Sequence, residues 1–98
     1  MLGRVVSGSE AAAWGMIHRA VPGDELDPTV DALVTQLSGA ATVALGLTKR
    51  CVHEALDGGL ADAMARESMA IELSSRTADF REGLASFKEH RPPEFQGR

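Results

Sequence analysis

Apolar positions recur at helical spacing along most of the chain. Val30, Leu33, Val34 and Leu37 stand at i, i+3, i+4 and i+7, which is one stripe of an amphipathic helix. That helix starts near Asp24 or Asp27. Asp27 before Pro28 offers an N-cap with proline at N1, and Gly39 ends the run. Thr42 is a candidate cap for the next helix, which reaches to about Asp57. Its polar stripe of Lys49, His53 and Asp57, with Arg50 and Glu54 beside it, is narrow. Val43, Leu45, Leu47, Cys51, Val52, Ala55 and Leu56 cover most of the remaining circumference, so this helix requires neighbours on two sides.

Gly58-Gly59 breaks the pattern, and a further helix is predicted from about Leu60 to Ser75. Its small residues Ala61, Ala63, Ala65, Ser68 and Ala70 permit close packing, while Met64, Met69, Ile71 and Leu73 fill gaps. Glu67 falls among apolar neighbours and needs a partner if it is buried. Asp79 with Glu82 has the spacing of a capping box for a last helix, Phe80 to about Glu89, with Phe80, Leu84 and Phe87 on one face. Pro92-Pro93 stops it, and residues 94–98 read as a tail.

The N-terminal part is different. Ser7 and Glu10 form a capping box that opens a short Ala-rich helix through Trp14, and Gly15 is suited to end it. Met16 to Val21 is too short for another helix and reads as an extended piece or short strand before Pro22-Gly23. The expected fold is all-α: five helices and one extended piece, in one domain over residues 1–98. The first helix and its extension fit poorly into a compact bundle and look like an edge made to lean on more protein.

Composition narrows the function. The chain has 98 residues, is 44% hydrophobic and only 4% aromatic, and carries a formal charge of -4 with a pI near 5.2. An acidic chain is a poor partner for nucleic acid, whose phosphates require a basic face. No segment approaches the roughly 18 consecutive apolar residues that span a bilayer. The start, Met1-Leu2-Gly3-Arg4, lacks the charged-then-apolar order of a signal peptide. Lone Cys51 can form no internal disulfide, and a reducing, cytoplasmic setting is expected.

Internal chemistry is sparse. Cys51 and His53 are two apart on a helix and point roughly 200° from each other, so they form no thiol–imidazole pair. His18, His53 and His90 lie in separate segments without metal-ligand spacing. Asp62 and Glu67 do not share a helical face. Gly58-Gly59 lacks the Lys-Ser/Thr of a phosphate loop. No catalytic residue, metal ligand or resident cofactor is expected.

The ordered string of motifs says more. Gly3-Arg4-Val5-Val6-Ser7 leads into Glu10-Ala11-Ala12-Ala13-Trp14-Gly15-Met16-Ile17, and the run closes at Val21-Pro22. Ala44-Leu45-Gly46-Leu47-Thr48-Lys49 follows. Asp79-Phe80-Arg81-Glu82-Gly83-Leu84-Ala85-Ser86-Phe87 comes next, and Arg91-Pro92-Pro93-Glu94-Phe95-Gln96-Gly97 closes the chain. Together these resemble, in order and over essentially the whole length, the C-terminal part of the enoyl-CoA hydratase/isomerase, or crotonase, superfamily.

The resemblance implies an acyl-CoA thioester as the parent's substrate and helices that assemble subunits into trimers or larger oligomers. It implies that Phe87 stacks near the CoA adenine and that His90, where hydratases carry lysine, stands near the phosphates; Lys88 and Arg91 are close in sequence and could compensate, though each points elsewhere on the helix. The turn at Trp14 and Met16 would border the acyl chain. The family's oxyanion hole and acid/base glutamates belong to an N-terminal β/α spiral, and neither motif is in these 98 residues. The chain is therefore expected to be inert alone and to self-associate: a shortened reading frame, an isolated segment or a proteolysis product. A small helical interaction module without a catalytic role is the alternative. Core packing of Trp14, Met16 and Phe87, with His90 as a helix-terminal residue, is the plainer account of the same positions.

Overall fold

A computed structural model describes residues 3–98; the reading of the Met1-Leu2 start lies outside them. Among the described residues the chain is all-helical, with five α-helices and no strand. It divides into two compact units, residues 1–33 and 34–98.

In the first unit, α1 spans Gly8–Ala13. The Ser7 and Glu10 capping box is complete: the Glu10 amide donates to Ser7 Oγ at 3.2 Å, and the Ser7 amide donates to Glu10 Oε2 at 3.0 Å. That backbone donor, followed by the Ser7 hydroxyl, lowers the Glu10 pKa. Gly15 adopts φ 72° just past the helix. The amides of Gly15 and Met16 then reach back to the carbonyls of Ala12 and Ala11, a Schellman ending. Residues 16–22 contain bends and open chain, so the extended piece is not a strand. A 3-10 turn at Gly23–Glu25 leads into α2, Leu26–Ser38, within which the first unit ends. Pro28 is thus the third residue of α2 rather than its first. Its missing N–H is still harmless there, because the first four helical amides have no carbonyl to reach.

In the second unit, α3 runs Thr42–Ala55, α4 Leu60–Ser75 and α5 Ala78–Glu89. The cap of α3 is Ala41, without a side-chain bond, and Thr42 is the first helical residue instead of the cap. α3 packs on α4, and α4 on α5. Glu54 links the first pair. It accepts from Arg50 within α3 at 2.8 Å and forms an ion pair with Arg66 of α4 at 3.3 Å, and the Arg50 bond holds its carboxyl below the ordinary range. Glu67 is exposed, so it needs no buried partner.

The cap of α5 is Thr77, whose Oγ1 accepts from the Phe80 amide at 3.1 Å. Asp79 and Glu82 therefore form no capping box. Among the described residues no apolar side chain is fully buried; the two buried residues are Asp79 and Ser86. The wide apolar arcs of α3 and α4 remain largely uncovered: Leu45, Val52, Leu56, Met64, Met69 and Ile71 are all exposed. No single described helix is long and apolar enough to cross a bilayer.

Candidate functional site

The last turn of α5 carries the two residues that the sequence marks for CoA. Phe87 is 81% exposed, and with Phe80 and Leu84 also exposed the three form no core among the described residues. Packing among the described residues therefore does not account for Phe87. Ser86, beside it, turns inward and donates its hydroxyl to the Gly83 carbonyl at 3.0 Å.

His90 terminates the helix in a left-handed conformation, φ 54° and ψ 38°. Glycine is the usual residue there, though histidine is among the side chains that visit this region most readily. The His90 amide returns to the Phe87 carbonyl and the Arg91 amide to the Ser86 carbonyl, closing the turn.

Of the two nearby cations, only Lys88 has no ion pair among the described residues. The Arg91 guanidinium meets both oxygens of Glu82, at 2.6 and 2.9 Å, and Glu89 at 2.7 Å. A fork-to-fork pair of this kind is among the stronger side-chain interactions. It raises the Arg91 pKa, with Glu82 the larger cause and Glu89 the next. It lowers Glu82 to about 2, helped by the Glu94 amide. Arg91 is therefore not a substitute phosphate ligand in this structure, whereas Lys88 is exposed.

The residues after the turn form no free tail. Asp79, 3% exposed, accepts from the amides of Gln96 at 2.7 Å and Gly97 at 2.8 Å, while its own amide donates to the Arg98 carbonyl at 3.0 Å. These bonds span 17 and 18 residues, so no local pattern in the sequence shows them.

The acyl-pocket candidates belong to the first unit, and Phe87 and His90 to the second. Trp14 is 55% and Met16 68% exposed, so neither is packed as core here. The Arg4 guanidinium lies 5.2 Å from the Trp14 ring centre and also reaches Glu10 at 3.3 Å. This cation–π contact holds one ring face in a defined setting.

Cys51 is half-buried and lines an open groove of about 340 Å³ between α3 and α4, with Leu47, Val52, Ala63, Ala70 and Ile71; His53 is exposed. Among the described residues no three His, Cys, Asp or Glu side chains converge as metal ligands. What the geometry offers is an exposed aromatic in the last turn of α5 and uncovered apolar helix faces.

The model of the enoyl-CoA hydratase/isomerase family matches residues 1–98, and the chain belongs to that family. It is 34% identical to the 1,2-epoxyphenylacetyl-CoA isomerase of Escherichia coli K12, a match that takes in the whole chain and 37% of that protein. It is 31% identical to the probable enoyl-CoA hydratase echA8 of Mycobacterium tuberculosis, of which it covers 38%. The solved enoyl-CoA hydratase of Geobacillus kaustophilus superposes with a TM-score of 0.91 at 27% identity, over 98% of this chain and 36% of that one. A putative enoyl-CoA hydratase from Streptomyces coelicolor A3(2) superposes with a TM-score of 0.90 at 32% identity, over 100% and 36%. The chain thus spans little more than a third of the length of these relatives.

Proposed function

We propose that these residues serve an acyl-CoA hydratase or isomerase as its C-terminal helical part, building subunit contacts and presenting Phe87 and His90 to the CoA moiety. Trp14 and Met16 would border the acyl chain. The observation that carries the reading is the exposure of Phe87 in the last turn of α5, beside a C-terminal turn closed by the His90 and Arg91 amides. An exposed aromatic at a hydrogen-bonded helix end is suited to stack on a planar base. The exposed faces of α3 and α4 support the assembly role, since apolar patches of this kind mark contact sites.

The chain brings no catalytic group of its own. Stabilising a thioester enolate takes paired donors aimed at the developing oxyanion, and hydration takes a positioned carboxylate. In this reading both come from outside residues 1–98. The isolated chain is therefore inert toward crotonyl-CoA, as followed by loss of enoyl absorbance.

The test is a chimera. This chain replaces the matching third of the Streptomyces coelicolor relative, and crotonyl-CoA hydration is measured. The chimera is expected to turn over, and Phe87→Ala is expected to raise KM about tenfold, the loss of one good stacking contact. Turnover by the isolated chain well above buffer, or an unchanged KM in a stable Phe87→Ala chimera, overturns the reading.

A further inference from the structure

Two carboxylates of α5 hold the residues that follow the helix. Burying a carboxylate is costly unless hydrogen bonds replace its water. Asp79 meets this condition with consecutive amides, Gln96 and Gly97, and its own amide ties in Arg98. Glu82, three residues on and so on the same side of the helix, grips both Arg91 and the Glu94 amide at 2.8 Å. A third constraint comes from Gly97. It has φ 74°, and a Cβ there would stand 2.7 Å from Thr42 Oγ1. The tail thus lies closely against the start of α3 as well.

Between these anchors the chain must reverse direction, and it does so at His90. A side chain in the left-handed region is disfavoured by about 1 kcal/mol or more. The His90 and Arg91 amides close the turn onto α5, and the anchors on either side engage Arg91, the cation that directly follows it.

We propose that residues 91–98 form a double latch on α5, and that this latch fixes the left-handed turn at His90 and thereby the presentation of Phe87 and His90. Asp79, Glu82 and Arg91 are then positioning residues for a CoA-facing turn. The inference rests on the functional reading above for its consequence, though not for its mechanism.

Two variants open the latch from opposite sides. Asp79→Asn removes the buried charge, and Gly97→Ala disturbs the tail without touching α5. Amide hydrogen exchange in the 98-residue chain is the first readout. Both variants are expected to raise exchange at positions 96 and 97 and, with them, at the Arg91 amide that closes the turn, by about tenfold or more. In the chimera, both are expected to raise KM about tenfold with kcat within about twofold, the mark of lost binding geometry.

Opening at positions 96 and 97 with the position-91 amide still protected, in both variants, overturns the proposal, because the tail would then be a local strap without influence on the turn. Coupled opening with no effect of Phe87→Ala on KM upholds the latch and removes the CoA role instead.

Discussion

Glu82 illustrates how a single residue can do more than its local sequence suggests. Its spacing from Asp79 resembles a capping box, yet its carboxylate faces Arg91 and the Glu94 amide, nine and twelve residues away. The same bonds bring its pKa from an ordinary 4.5 to about 2. A carboxyl with a depressed folded pKa stabilises the fold above its unfolded pKa, and that contribution disappears as pH falls through the folded value. The contribution of Glu82 is therefore intact above about pH 4.5 and declines toward pH 2. Urea midpoints at several pH values between 5 and 2.5 should show the wild type converging on Glu82→Gln as acid is added. A constant gap between the two across that range would contradict the assignment. His90 provides a second residue-scale expectation. A β-branched side chain is poorly tolerated at φ 54°, so His90→Val should cost about 1–2 kcal/mol in thermal or urea unfolding, and His90→Asn much less.

At the scale of elements, the ends of α5 separate what the sequence reveals from what it hides. Thr77 accepts from the Phe80 amide, so Thr77→Ala should cost about 1 kcal/mol, read as a shift in the urea midpoint. An unchanged midpoint would show that the cap is not working. The sequence places a cap in this region but gives Asp79 the role, because Asp-x-x-Glu and Thr-x-x-Phe are both acceptable openings and composition favours the acidic pair. What decides is the tail. Asp79 is occupied by amides 17 and 18 residues away, which leaves the helix start to Thr77. By contrast, the capping box of α1 and its glycine ending are legible residue by residue, since every partner lies within six positions. The span of α4, Leu60–Ser75, is read equally well, because Gly59 and the end of the apolar run bound it. The start of α3 is not: Thr42 looks like a cap but is already helical, and Ala41 precedes it. The candidate site divides in the same way. Phe87 and His90 are visible through the motif they complete, whereas the use of Arg91 by Glu82 depends on a fold-back that no local pattern reports.

For the whole molecule, the decisive observation is that, among the described residues, the helices of neither unit enclose an apolar core. Leu45, Val52, Leu56, Met64, Met69, Ile71 and Phe87 all remain exposed. Fully burying one such side chain is worth about 1.5–3 kcal/mol. A standard stable interface buries about 1,600 Å² in total, about 800 Å² from each partner. The exposed side chains of α3 and α4 supply apolar surface for such a contact, and the formal charge of -4 on 98 residues is a modest opposing repulsion. Self-association should therefore outweigh its own entropy cost at moderate concentration. Light scattering at high micromolar concentration should give a mass of at least twice the 10.4 kDa of one chain, falling on dilution. Replacing Val52 and Ile71, which both line the α3–α4 groove, by Ser should shift the equilibrium toward the single chain. Those substitutions leave the capping and latch bonds untouched, so helix content should persist while the mass falls. A clean 10.4 kDa species at high concentration in the unaltered chain would mean that these faces do not seek partners of their own kind. The assembly role would then have to be met by a different chain.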